Sequence, residues 1–291
     1  MNFETIKEEG YEYVEAGEGP VIVLLHGLMG GLDNFESIIP ELAKNGYKII
    51  GPILPLFEKP ILKTNIKHFS EYIHEFLEFK KLNNVFLFGN SLGGHISLVF
   101  AKNYPEMVKG LILTGSSGLY ENSMGDSFPR RGDYDYIRTK TEEVFYDPKM
   151  ATKSLVDNVF KIANDRNSVI RLLTMAKSAI RHNMSNDIPN LEFPVCLIWG
   201  KNDNVTPPHV AKEFHKLFQK SELHWIDKCG HSAMWEHPEE FATILLKWLY
   251  VKAKKLISCE SNRLSLLSVI RILKNAQKQI SLNTPLLDAP M

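Results

Sequence analysis

Six short runs of apolar, largely β-branched or aromatic residues recur along this chain, at 21–25, 47–53, 84–88, 110–114, 195–199 and 223–226, and each is closed by glycine, proline or a polar residue. A short run without alternation reads as a strand buried on both faces, and such strands belong to sheets covered on both sides. Segments with helical spacing lie between them, at 33–44, 66–79, 93–103, 208–218 and 238–251. Strands alternating with helices return parallel through one-handed crossovers, so the pattern predicts an α/β chain with a doubly wound, mostly parallel sheet.

One interval breaks the alternation. About seventy residues separate the run ending near Thr114 from the run starting near Val195, far more than a connecting loop needs. Apolar residues at three- and four-residue spacing predict helices there at 142–145, 152–163 and 169–182, with Asp147-Pro148 marking a stop and restart. This divides the chain into a first part of the core at 1–116, an inserted helical cap at 117–190, a second part of the core at 191–251 and a tail at 252–291. With 291 residues against roughly 150 per domain, one large α/β domain carrying an insertion fits. From Lys252 onward, seven Lys and Arg face only Glu260 and Asp288, a local net charge of +5. Leu266, Val269, Ile270, Leu273, Ala276 and Ile280 form an amphipathic stripe there. It reads first as a helix docked on the body or a frayed tail, ahead of a membrane-surface helix.

Composition narrows the function classes. The 34 Lys and Arg balance the 34 Asp and Glu, which argues against a nucleic-acid partner, since phosphate binding needs a concentrated basic surface. Cys196, Cys229 and Cys259 are odd in number and contain no C-x-x-C pair, so neither a disulfide framework nor a zinc site is expected. The opening residues are acidic and carry no apolar leader stretch, and a cytoplasmic location is the expectation.

The chemistry is concentrated after the third buried run. Residues 84–88 lead straight into Gly89-Asn90-Ser91-Leu92-Gly93-Gly94-His95, a G-x-S-x-G motif between a strand and a helix. A serine on such a turn is held in a strained conformation that exposes its hydroxyl above the sheet, and the following helix N-terminus favours developing negative charge. A serine hydroxyl needs a base held by an acid, in the chain order Ser, Asp, His. Asp203 follows the run at 195–199 and His231 follows the run at 223–226; either alone is unremarkable, but the ordered trio just past the strand ends is the signal. The turn His26-Gly27-Leu28-Met29-Gly30-Gly31 after the first buried run is able to aim a backbone N–H into the same crevice. The amides of Leu28 and Leu92 are therefore assigned to an oxyanion hole. His26 reads first as a strand-end hydrogen-bonding residue; together with Gly27, Asn90 and Trp235 it is also a candidate substrate contact.

With these residues in hand, the chain resembles the α/β-hydrolase family from about Val21 to Leu249. The family implies a sheet of about eight strands, a lid inserted after the sixth, and no cofactor; no metal site is expected. Asn90 before Ser91, and the stretch from Cys229 to His237, are similar to the branch that hydrolyses carbon–carbon bonds in meta-cleavage products. Ser232 stands where that branch usually carries Trp, and Gly51-Pro52-Ile53-Leu54-Pro55-Leu56-Phe57 replaces an acidic, glycine-rich turn, which predicts a more apolar side to the pocket. The branch holds a substrate carboxylate with a cap arginine, for which Arg166 and Arg181 are the candidates. The expectation is a serine hydrolase acting on a small-molecule carboxylic ester with an apolar portion. A C–C hydrolase, an acyltransferase and a non-catalytic ligand-binding module on the same fold stay open, as does the oligomeric state.

Overall fold

A computed structural model of the chain describes residues 3–119 and 130–259. Its sheet has eight strands: β1 (Ile6–Glu8), β2 (Tyr11–Ala16), β3 (Val21–Leu25), β4 (Lys48–Pro52), β5 (Val85–Asn90), β6 (Val108–Thr114), β7 (Val195–Gly200) and β8 (Ser221–Ile226). They lie in the order β1-β2-β4-β3-β5-β6-β7-β8. From β4 to β8 all neighbours are parallel, while β1 and β2 join antiparallel at one edge. These two were not expected from the sequence. β1 is exposed along its length and β2 buries only Tyr13 and Val14 at its centre, so neither carries the apolar run that marks the interior strands.

The interior strands show why their sequences do not alternate. Along β3, Ile22 and Leu24 face one side of the sheet and Val23 and Leu25 the other, and all four are fully buried. On one side, α1 (Ile39–Lys44) and α9 (Pro238–Cys259) pack Leu42, Phe241, Leu245 and Trp248 against the sheet. On the other, α2 (Ile66–Phe79), α3 (Leu92–Asn103) and α7 (Pro208–Leu217) bring Phe69, Phe76, Ile96, Phe100 and Phe214. Both faces of the central strands are thus removed from water, the condition that a parallel sheet requires. Cys196 and Cys229 are buried free thiols within this core.

Between β6 and β7 the described chain forms α4 (Tyr134–Glu142), α5 (Lys153–Asn164) and α6 (Arg166–Arg181). Each starts at a side-chain cap: Asp133 accepts from Tyr136 N, Thr152 from Leu155 N and Asp165 from Ser168 N, satisfying amides that open every helix without a partner. α4 departs from expectation: the helix ends at Glu142, where the sequence reading began one. Only Ile137 and Thr141 of α4 are buried, too few to make a legible stripe. The two ends of the insertion are joined at its base, with Met184 N donating to Gly118 O at 2.8 Å and Asn183 Nδ2 to Leu119 O at 2.6 Å. α9 runs to Cys259, eight residues past the expected end. The amphipathic stripe expected at 266–280 lies outside the described residues. Among the described residues no helix is long and apolar enough to cross a membrane.

Candidate active site

Ser91 sits between β5 and α3 with φ 55° and ψ −119°, a backbone region that costs a non-glycine residue of order 1–3 kcal/mol and persists only where surroundings enforce it. The enforcement is visible. Ser91 N donates to Thr114 O at 3.2 Å, and Ser91 O accepts from His95 N and Ser117 N, both at 3.2 Å, and from Ser117 Oγ at 3.3 Å. Gly93 completes the turn, because a Cβ there would overlap the Leu25 carbonyl at the end of β3. The first turn of α3 therefore lies directly on that strand.

Asp203 follows β7 and is almost wholly buried. Its Oδ1 accepts from Val205 N at 2.8 Å and Thr206 N at 2.9 Å, and its Oδ2 from Thr206 Oγ1 at 2.9 Å. His231 follows β8 and places Nδ1 at 3.0 Å from Asp203 Oδ2 and 3.2 Å from Oδ1. A carboxylate there fixes the tautomer with the proton on Nδ1, leaving Nε2 as the basic nitrogen. Gly115, with φ 51°, lies beside the imidazole: a Cβ at this position would stand 2.7 Å from His231 Nδ1. Ser91 and His231 both line one cavity of about 470 Å³ above the carboxyl ends of the parallel strands. Its far wall is apolar and comes from the insertion, chiefly Leu155, Val159, Leu172, Leu173, Ala176 and Ile180.

The remaining expected residues divide. Gly27 and Leu28 line the cavity, and a Cβ on Gly27 would stand 3.3 Å from Ser91 Cβ, so this turn lies beside the nucleophile. Among the described residues the Leu28 amide has no hydrogen-bond acceptor; Leu92 opens α3, so its amide has none within the helix. Asn90 lines the cavity, yet its Nδ2 donates to Thr114 O at 3.1 Å and His231 O at 3.4 Å, tying the nucleophile strand to the histidine loop. Trp235 lines it too, edge-on to Phe145 with ring centroids 5.4 Å apart.

Three candidates for substrate contact lie outside the cavity lining. His26 is buried and absent from the lining; its Nδ1–H donates to Gly27 O at 2.9 Å and its Nε2 accepts from Leu54 N at 3.0 Å. Both ring nitrogens are used in bracing the turn, and burial holds the imidazole below its ordinary pKa. Arg166 and Arg181 are exposed and outside the lining, because the helical phase of α6 turns Leu172, Leu173, Ala176 and Ile180 inward instead. The cations that do line the cavity are Lys140, paired to Glu143 at 2.6 Å, and Lys177.

Sequence reasoning missed Gly115, Thr206 and Glu236. Glu236, on α8 (Ala233–Glu236), accepts from Gly230 N at 2.9 Å through Oε1 and from Tyr146 N at 2.7 Å through Oε2. It spans the histidine loop and the insertion, and burial pushes its carboxyl above the usual range. Beside it, His231 N donates to Val144 O at 2.9 Å. Its spacing five residues after His231 was the available signal, but the partner lies ninety residues away. Among the described residues no group of three or more His, Cys, Asp or Glu is placed to hold a metal ion.

A serine on a strained strand–helix turn, with an Asp–His pair delivered to the same cavity by the next strand ends, is the layout of a hydrolase on a doubly wound sheet. The model of the alpha/beta hydrolase fold family matches residues 20–147 and 122–238, and the chain belongs to that family. Among its relatives, a 2-hydroxy-6-oxo-6-(2'-aminophenyl)hexa-2,4-dienoic acid hydrolase of Metapseudomonas resinovorans is 28% identical over 83% of this chain and 88% of its own. The monoacylglycerol lipase ABHD6 of Bos taurus is 26% identical over 86% of this chain and 82% of its own. Among solved structures, MGS-MChE2, an alpha/beta hydrolase enzyme from a sediment metagenome of the Mar Chica lagoon in Morocco, is 46% identical, covers 84% of this chain and 97% of its own, and superposes with a TM-score of 0.71.

Proposed function

We propose that the protein is a serine hydrolase of carboxylic esters with an apolar acyl group. The observation that carries this is the joining, in one cavity, of the strained Ser91, the Asp203-bound His231 and an apolar wall from α5 and α6. His231 Nε2 takes the Ser91 proton as Oγ bonds to the substrate carbonyl carbon, and the Leu28 and Leu92 amides hold the resulting oxyanion. Collapse breaks the C–O bond, and the imidazolium gives its proton to the departing alcohol. Water, deprotonated by His231, then attacks the acyl-enzyme and releases the acid and the free serine. Asp203 stabilises the imidazolium at both stages.

A second reading, hydrolysis of a C–C bond in a vinylogous dienoate, draws support from the name of the Metapseudomonas relative. The test begins with a fluorophosphonate: an adduct on Ser91, read by peptide mapping, that is lost in His231→Ala supports an activated nucleophile. Folded protein without adduct overturns the proposal. Relative to the unlabelled wild type, Ser91→Ala is expected to lower ester turnover by about 10³-fold or more. Bleaching of a coloured dienoate faster than ester hydrolysis would transfer the assignment to the second reading.

A further inference from the structure

Seven large apolar side chains of the described residues are exposed; Ile61 and Leu62 stand on the turn at 59–66, and Ile170 and Ile180 stand on α6. Leu62 is 93% exposed. Residues 59–66 run alongside α6: Arg171 Nε donates to Lys59 O at 2.8 Å, and Ile66 N donates to Ser178 Oγ at 3.1 Å. The turn holding Ile61 and Leu62 therefore lies beside the middle of the helix that carries Ile170 and Ile180.

The outer surface that α6 forms with this turn is basic. α6 holds Arg166, Arg171, Lys177 and Arg181 and no carboxylate, and none of the four enters an ion pair among the described residues. Lys59, Lys63 and Lys67 extend the charge along the turn and into α2. Nearby acids are few: Asp165 caps α6, Glu71 is taken by Lys67 and His68, and Glu58 flanks the turn. The face also borders the cavity, since Lys177 and Ile180 are exposed and line it. Unpaired cations beside exposed aliphatic side chains match a lipid surface, where ammonium and guanidinium groups meet phosphate while aliphatic groups enter the acyl boundary. A second copy docked on this face about a twofold would set cation against cation.

We infer that this face docks on an anionic lipid surface, and that the site draws an amphiphilic ester, an acyl chain on a polar headgroup, directly from it. The identity of the substrate rests on the ester-hydrolase reading; the docking does not. The face delivers the cavity mouth to the interface, so the acyl chain passes from lipid to the apolar wall without crossing water.

The test uses the full chain. Ser91→Ala protein is sedimented with vesicles of phosphatidylcholine containing phosphatidylglycerol and with vesicles of phosphatidylcholine alone. Binding to the first that weakens with salt, and falls about tenfold or more in a Leu62→Asp/Lys63→Glu variant of equal thermal stability, is the expected result. In the Ser91 background the same double variant is expected to hydrolyse a soluble short-chain ester at the unchanged rate, and a long-chain acylglycerol carried in the anionic vesicles about tenfold more slowly. No binding by the parent, or equal binding by the variant, overturns the docking; equal binding would assign attachment to another part, such as the basic residues after Lys252. Variant-sensitive binding without hydrolysis of either ester supports the docking and overturns the substrate reading.

Discussion

Gly115 shows how one residue governs chemistry that it does not perform. Its positive φ suits glycine, and its missing side chain leaves the space in which the His231 ring lies against Asp203. In Gly115→Ala the added methyl displaces the imidazole, and a displacement near 1 Å is expected to lower kcat by about 10²-fold with a small change in KM; unchanged kcat would refute this. Ser91, Asp203 and His231 were legible in the sequence because each closes an apolar run, so a local pattern located it. Gly115 and Glu236 were not, because each matters through what packs against it from a distant stretch, and Thr206 was not, because a threonine three residues after an aspartate is unremarkable until the turn is seen. The arginines illustrate the converse. Arg166 and Arg181 have the right chemistry for a carboxylate, but the helical phase of α6 gives the cavity Leu172, Leu173 and Ala176 instead.

At the scale of elements, the link between the insertion and the histidine loop is made by few groups. Glu236 accepts the Gly230 amide of its own loop and the Tyr146 amide ninety residues before it, and the Val144 carbonyl receives the His231 amide. Glu236→Gln keeps one acceptor oxygen and turns an NH₂ group toward the other donor, which is expected to cost about 1–3 kcal/mol. The measurable consequences are faster hydrogen exchange at the Tyr146 and Gly230 amides and a fall of about tenfold in kcat/KM. Unaltered exchange at both amides would refute the bridging role. The parallel strands β3 to β7 were readable because burial on both faces leaves an unbroken apolar signature, and β8, at the far edge, through its short run at 223–226. β1 escaped notice as an exposed edge strand and β2 because only its centre is buried, and α4 because its start is set by the Asp133 cap rather than by a stripe.

For the whole molecule, stability against pH follows from buried histidines. Burial holds His26, His95 and His224 below their ordinary pKa, His95 down to about 3. They stay neutral in the fold while the unfolded chain takes up protons below about pH 6.5, so stability is full above that value and declines as pH falls toward the folded pKa values. His95 alone is expected to remove ~2 kcal/mol by pH 5. Glu236, raised by burial, acts in the opposite sense at lower pH. The melting temperature is therefore expected to drop between pH 7 and pH 5, and the drop to shrink in His95→Gln, which keeps a donor toward His182. An equal drop in both proteins would refute the assignment to His95.

The bond from His231 to Val144 also limits how the molecule can open. Swinging the start of the insertion away from the sheet would unseat the base from the acid that orients it. The wall that shelters the serine and the loop that carries its base are thereby fastened to one another, so that shelter and base are positioned by a single bond.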